Sequence, residues 1–295
     1  MYEELEMFAV IVEQRSLNKA SSQLNLSQPA LSRKLAKLEN EIGVKLFLRV
    51  GKRLELTRIG QLTYEYALEL RHLHKNYLQT VAEFTATGRA SLTIGASLTT
   101  LQTTLPDLIQ ILTASHPEID IKAVTGKTHE IITYVREHKV DLGIIASSID
   151  DSALHCSPLF EDHLLLVLPS NHDMAHKKGL SIGDLNGLPM ILFSRGTWYR
   201  LLTDELFEKH RLAPDVRMEI DSFEAILRLL HTCRAATLLP KSYMRRELME
   251  DNDVIALSIR ELEETKRTTS LIHADPARLS PSVRDCIREI EARYS

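Results

Sequence analysis

Cysteine is scarce in this chain. Three residues in 295, Cys156, Cys233 and Cys286, are odd in number, far apart and without any CxxC spacing. That excludes a disulfide framework and a thiolate zinc site. It leaves buried free thiols as the bland reading and a cysteine redox sensor as the sharper one. No run approaches about 18 consecutive apolar residues, and the N-terminus opens with Glu3, Glu4 and Glu6 where a signal peptide needs basic and then apolar residues. A soluble cytoplasmic protein with no membrane partner is expected.

Catalytic signatures are missing as well. No GxSxG, P-loop or GxGxxG occurs, and no Ser/His/Asp grouping is legible from spacing. His172 and His176 stand four apart, a spacing that binds metal on a helix, but "PSNHDMAHKKG" reads as a loop, with no further Cys or His at ligand distance. Neither an enzyme nor a resident metal or cofactor is expected. A hydrolase or transferase on an α/β body stays formally open, because fold does not fix function.

What is present is a division of charge. The chain carries a net charge of −4 and an ordinary hydrophobic fraction of 44%. Residues 1–60 hold ten Lys/Arg against seven Glu, a balance of +3, and the remainder stands at −7. A basic end joins an acidic body. The length suits two or three domains.

Within the basic end, "LEMFAVIVEQ" places Leu5, Phe8, Ala9 and Val12 at helical spacing. Ser16 is placed to cap a second helix, "LNKASSQLN". A third starts at Ser27, with Pro29 in its first turn, where a missing amide hydrogen costs little. Its apolar stripe, Leu31, Leu35, Leu38 and Ile42, leaves Pro29, Arg33, Ala36, Lys37 and Asn40 facing away from the core, with Ser32 on the flank. Only Asn25 and Leu26 separate the second and third helices, the spacing of a helix-turn-helix. Ser27, Gln28, Pro29, Ser32, Arg33 and Lys37 then become candidate contacts to base edges and phosphates, Arg33 being long enough for a guanine edge. A capped surface helix with a solvated basic face would show the same charges. Next, "LFLRVGKRLELTRIG" reads as a strand, a turn at Val50 to Lys52, and a return strand Leu54 to Leu56. A basic hairpin here is a wing, carrying Arg49, Lys52 and Arg53 toward phosphates or a minor groove.

The run from Phe8 to Gly60 resembles the winged helix-turn-helix of the LysR-type transcriptional regulators. The resemblance is carried by Phe8, Ser16, Ala20, Leu24, Ser27, Gln28, Pro29, Ala30, Ser32, Arg33, Leu38, Glu39, Gly43, Leu46, Phe47, Arg49, Leu56, Thr57 and Gly60. Ser21 and Ile59 depart from it, each standing where the family usually has alanine. The resemblance implies a winged helix-turn-helix domain over 1–58 and a linker helix over 59–88 that pairs two subunits. It implies an effector-binding domain over 89–295 like a type 2 periplasmic binding protein, with lobe I at about 89–162 and 268–295 and lobe II at about 163–267. The two crossovers between lobes would fall near Glu161 to Leu164 and Lys266 to Ser270.

The residues agree with that frame. From Thr57 to about Phe84 there is no proline, and Ile59, Leu62, Tyr66, Leu70, Leu73, Tyr77, Val81 and Phe84 recur at steps of three and four. Beyond "TATGRAS", strand-like runs alternate with helical ones through two sets, from "SLTIGAS" to "VDLGIIAS" and from "PMILFS" to "DVIALSI". That rhythm predicts two α/β lobes with largely parallel strands. Ligands of open α/β sheets bind at the carboxyl ends of the strands. Those ends carry Ser97, Thr99 and Thr100, then Lys127 and Thr128, Ser147 with Ser148, and in the second lobe Ser194, Arg195, Thr197 and Ser222. Hydroxyls with one or two cations suit a carboxylate or oxyanion, although each alone is also an ordinary helix cap. The resemblance makes the loop at Ser97 a recurrent effector contact. It also predicts a Gly-rich turn where this chain has Cys233, Arg234 and Ala235.

The function expected is an oligomeric DNA-binding regulator whose partners are double-stranded promoter DNA, a small anionic effector, a second copy of the chain, and RNA polymerase as a further contact. A ligand-binding protein whose N-terminal domain contacts other proteins, and a cysteine redox sensor, are the alternatives.

Overall fold

The computed structural model describes residues 1–50, 53–84, 90–195 and 197–294. The chain divides into two compact units, Met1–Arg89 and Ala90–Ser295.

In the first unit, α1 (Tyr2–Gln14), α2 (Leu17–Gln23) and α3 (Gln28–Ile42) precede a hairpin of β1 (Phe47–Val50) and β2 (Arg53–Leu56) and the long α4 (Arg58–Phe84). Each start and stop has a local cause. Ser16 Oγ accepts the Lys19 N–H and Ser27 Oγ the Ala30 N–H, capping α2 and α3. Asn25 turns the chain through a left-handed conformation, and Gly43, at φ 79°, ends α3. Phe8, Ile11, Ala20, Leu31, Leu38 and Leu46 form the core, with Tyr64, Ala67 and Leu68 of α4. The buried Glu39 ties hairpin to helix. Its carboxylate accepts the N–H groups of Leu46 at 2.9 Å and Phe47 at 3.3 Å and pairs with Lys45. Thr57 caps α4 through the Gly60 N–H at 2.8 Å, while its own N–H donates to Leu46 O at 2.9 Å. Arg71 of α4 holds Glu6 and Glu13 of α1.

The second unit runs β3 (Ser91–Ser97), α5 (Leu98–Thr103), α6 (Leu105–Ser115), β4 (Asp120–Gly126), α7 (Thr128–Arg136), β5 (Leu142–Ile145) and a 15-residue β6 (His155–Pro169). Then come β7 (Pro189–Leu192), α8 (Trp198–Lys209), β8 (Asp215–Glu219), α9 (Phe223–Cys233), β9 (Thr237–Pro240), α10 (Arg246–Asp251), β10 (Val254–Leu257), α11 (Arg260–Glu264), β11 (Lys266–His273) and α12 (Pro281–Tyr294). Strand β6 serves both lobes. Its first part, His155 to His163, pairs with β11, and its last part, Leu164 to Pro169, pairs with β9 and β10. The first lobe buries Leu92, Ile94, Leu108 and Ile287 on one side of its sheet and Ile131, Val135 and Ile272 on the other. The second has its own core around Phe193, Tyr199, Phe223 and Leu238.

The expectation of largely parallel strands needs correcting. β3 pairs in parallel with β4 and β5, and β7 with β8, whereas β6 is antiparallel to β9, β10 and β11, and β11 to β5. In this unit every antiparallel pair among the described residues involves β6 or β11, the two strands that pass between the lobes. The sequence conceals β6, because Pro158 and the charged pair Glu161–Asp162 interrupt its pattern, and Pro158 lies at the β6–β11 irregularity.

Other differences are local. Helix α7 stops at Arg136, with His138 left-handed behind it. "DMAH", read as loop, forms a single 3₁₀ turn capped by His172 Nδ1, which accepts the Met174 N–H at 3.2 Å. Arg234, standing for the glycine that the resemblance predicts, caps α9 in a left-handed conformation at φ 47° and is exposed. No helix among the described residues is long and apolar enough to cross a membrane.

Candidate DNA interface and effector cleft

The outer face of α3 presents Pro29, Arg33, Ala36, Lys37 and Asn40 to solvent, with the exposed Ser27 at its cap. Gln28 and Ser32 are joined by a 3.0 Å bond from Nε2 to Oγ across one turn, which presets the polar edge of the helix. Arg33 has no ion-pair partner among the described residues, so its guanidinium is available to an incoming acceptor. Lys37 differs. It lies 3.4 Å from Glu41 and 3.8 Å from Glu4, and would exchange weak exposed ion pairs for any phosphate contact. In the hairpin Val50 opposes Arg53 and Leu54 opposes Arg49. Lys52 lies outside the described residues, and of Arg49 and Arg53 only the backbone is described.

In the second unit a cavity of about 350 Å³ opens between the lobes. From the first lobe it is lined by Ser97, Leu98 and Thr99 at the β3–α5 corner, by Lys127, Thr128, His129 and Ile132 at the start of α7, and by Ser147, Ser148 and Ile149 beyond β5. The second lobe supplies Phe193, Thr197, Tyr199 and Leu201 from the β7–α8 connection. Three helix starts therefore border one space, because each strand ends at the same edge of its sheet.

The sequence-predicted residues divide by what they touch. The hydroxyls of Thr128, Ser147 and Ser148 make no side-chain hydrogen bond among the described residues, and Lys127 is exposed at the rim. Ser97, almost fully buried, shares its hydroxyl with Thr100 at 2.9 Å. Thr197 caps α8 while donating to Ser194 O at 2.8 Å. Thr100 is not among the lining residues. Its hydroxyl lies 2.8 Å from Ile144 O and fastens α5 to β5. Ser194 and Ser222 are also away from the lining, the Ser194 N–H donating to Asp221 Oδ1 at 2.9 Å and the Ser222 hydroxyl accepting the Ala225 N–H to cap α9. Arg195 turns outward to Glu219, 3.6 Å away. The capping that makes these hydroxyls common at helix starts has claimed Ser222, and a tertiary bond has claimed Thr100.

Sequence reasoning missed the apolar wall of Phe193, Tyr199 and Leu201 with Ile132 and Ile149 opposite. Phe223 meets both Phe193 and Tyr199 edge to face, and those two rings are tilted against each other. Burial keeps Tyr199 a neutral phenol, its pKa pushed well up, and its O–H donates to Leu238 O at 3.2 Å. Behind the wall Arg200 donates to Phe193 O at 2.9 Å and to Asp204 and Glu219. Burial opposes its charge, but the two carboxylates outweigh that and raise its pKa. The fastened carbonyl of Phe193 fixes one wall of the cavity.

The cysteines stand apart from this geometry. All three are free. Cys286 in α12 is fully buried, and burial, then Glu289 and Asp285, push its thiol up to about 11. At neutral pH it is almost wholly thiol and therefore unreactive. We expect iodoacetamide to label Cys286 in the native chain at pH 8 at least about 100-fold more slowly than in the denatured chain; mass spectrometry of the labelled peptide reads this, and equal rates would contradict it.

A helix-turn-helix with an exposed cationic face, on the same chain as a ligand-sized cleft, defines a DNA-binding regulator with a sensing body. The comparisons agree. Residues 2–61 match the bacterial regulatory helix-turn-helix proteins of the lysR family, and residues 86–295 match the LysR substrate binding domain. The chain belongs to the LysR family of transcriptional regulators; it is a regulator and not an enzyme. It is similar to the transcriptional regulator CysL of Bacillus subtilis, 26% identical over 92% of this chain and 91% of that one. Two solved structures share its fold. Full-length CbnR complexed with its target DNA gives a TM-score of 0.64 at 20% identity, covering 100% of both chains. The effector binding domain of QuiR in complex with shikimate gives 0.60 at 23% identity, covering 70% of this chain and 98% of that one.

Proposed function

We propose that this regulator binds promoter DNA as a homo-oligomer and changes its output when a small anionic effector occupies the cleft between the two lobes. The observation that carries the effector reading is the cavity itself. Three helix starts, unengaged hydroxyls at Thr128, Ser147 and Ser148, and Lys127 surround a space opposite an aromatic wall. Helix starts favour negative charge, and an apolar wall with a few polar groups is the usual make-up of a small-molecule site. About 350 Å³ suits a compact molecule carrying a carboxylate and hydroxyls. QuiR holds shikimate, a ligand of that class, in a domain of this fold.

On the DNA side, Arg33 and the start of α3 take the major groove, with Ser27, Gln28, Pro29 and Ser32 at base edges and phosphates and Lys37 at the backbone. The hairpin bearing Arg49, Lys52 and Arg53 meets the flanking phosphates. Oligomerisation rests on α4, whose Leu62, Tyr66, Leu70, Leu73 and Tyr77 form an exposed stripe in a single copy; a second copy covers it and sets two reading heads on an interrupted palindrome. An effector with unequal affinity for two arrangements of the lobes shifts the population between them, and with it the geometry offered to DNA and RNA polymerase.

Filling the cavity tests the effector reading. Ser147→Trp should abolish effector-dependent changes in operator binding, scanned over a panel of small carboxylates, and leave basal operator affinity within about threefold, since the substitution is far from α3 in sequence and unit. An undiminished response in Ser147→Trp would place the effector elsewhere.

A further inference from the structure

The long helix α4 is pinned to the rest of its unit at two points. The first is its start, where the Thr57 N–H donates to Leu46 O at 2.9 Å and Gly60 packs against that carbonyl. The second is Arg71, eleven residues beyond Gly60, or about 16 Å further along the helix. Its Nε donates to Glu6 Oε2 at 2.7 Å and its Nη1 to Glu13 Oε1 at 2.6 Å. Glu6 and Glu13 stand two turns apart on one side of α1, so a single guanidinium spans them. One turn beyond Arg71, the His74 ring meets the ring of Tyr2, at the start of α1, with centroids 4.9 Å apart. Between the two pins, Tyr64, Ala67 and Leu68 of α4 share the apolar core with Phe8 and Ile11 of α1. Such contact holds the helices together without fixing their direction.

Stability alone does not account for the second pin. Arg71 is partly buried, and its Nη2 is buried with no partner among the described residues. An apolar side chain in such a place is often as stabilising as the ion pairs or more so. What the two charge-assisted bonds supply is geometry, because a planar fork fixes both the distance and the direction of its acceptors. They set the crossing of α1 on α4. Helix α1 in turn carries α3, since Phe8 and Ile11 share one core with Leu31 and Leu38. We propose that Arg71, held by Glu6 and Glu13, is the positioning residue that sets the separation of the two reading heads, and with it the half-site spacing this regulator accepts. The inference rests on the reading of α3 as the DNA-reading helix and of α4 as the pairing helix. It adds that spacing is specified by a contact within one copy, on the inner side of α4, separately from base reading by α3 and from pairing through the outer stripe. The tolerance is small, because one base-pair step is about 3.4 Å.

The test selects binding sites from a pool of random DNA duplexes with the full-length protein, as wild type, Arg71→Met, Arg71→Lys and Glu13→Gln, each checked by circular dichroism for cooperative melting. The wild type should return one half-site sequence, paired at a single spacing. Arg71→Met should return the same half-site sequence spread over at least about three spacings. One base pair inserted between the half-sites of the wild-type duplex should weaken the wild type at least about tenfold and Arg71→Met less than about threefold. Arg71→Lys, which lacks the fork, and Glu13→Gln, which weakens one arm, should lie between, and they decide the matter if the methionine variant does not fold. A merely structural role would lower affinity at every spacing alike and leave the preference intact. That result in folded Arg71→Met would overturn the role of the arginine and keep the reading of α3. So would loss of the wild-type oligomeric state in sedimentation velocity, which would assign Arg71 to pairing. No shared half-site sequence from the wild type would overturn the reading of α3 itself.

Discussion

Gly60→Ala should cost the N-terminal unit about 3 kcal/mol or more and abolish operator binding at growth temperature, a loss in the upper range for single substitutions. Gly60 lies in the first turn of α4, and a Cβ there would stand 2.0 Å from Leu46 O and 3.0 Å from the Leu46 carbonyl carbon. The obstacle is backbone, and that carbonyl already accepts the Thr57 N–H. Relief requires moving the start of the hairpin away from the start of α4. Helix propensity alone predicts the opposite sign, because alanine is favoured over glycine by about 1 kcal/mol inside a helix. Gly43 is the control: its φ is +79° with nothing within 4 Å of a built Cβ, so Gly43→Ala should cost only about 1 kcal/mol of conformational strain. Denaturant melts of both variants check this, and a Gly60→Ala chain as stable as the wild type would refute the close approach.

The double substitution Tyr66→Glu with Leu73→Glu should convert the oligomer to monomers and lower affinity for a full operator by roughly 10²- to 10⁴-fold, the advantage that joining two reading heads confers. Both side chains are exposed in the single chain, Tyr66 by 59% and Leu73 by 63%, and glutamate is a good helix former. The unit should therefore keep its own stability, while two charged rows would oppose each other across the paired helices. Sedimentation velocity and operator titration read the two effects together. A variant that sediments and binds as the wild type does would remove α4 from the interface.

The N-terminal unit was largely legible because its causes are local. Serine caps, a proline in the first turn of α3, apolar steps of three and four, and a two-residue turn lie within a few residues of what they determine. The close packing of Gly60 on Leu46 was not legible, since it needs the return of the chain after the hairpin. In the body, the positions of Ser97, Lys127, Thr128, Ser147 and Thr197 follow from reading strand ends, which all meet at one edge. Thr100 and Ser222 occupy equivalent sequence contexts, but a bond to Ile144 and a helix cap engage them, and sequence spacing does not separate a capping hydroxyl from a free one. The Phe193 and Tyr199 wall depends on packing with Phe223 about thirty residues away, and the buried ion pair of Arg267 with Asp162 on β6 and β11 meeting across about a hundred, contacts that no periodicity signals.

We propose that α3 of this regulator reads DNA through Arg33. It is tested most directly by titrating the full-length protein against the DNA upstream of its own gene, with wild type and Arg33→Ala compared over a series of salt concentrations. Specific binding by the wild type should fall steeply with salt, as several phosphate contacts require. Arg33→Ala should bind about 10- to 100-fold more weakly and lose preference for the specific site over unrelated DNA. Equal affinity and equal preference in the two proteins would contradict it.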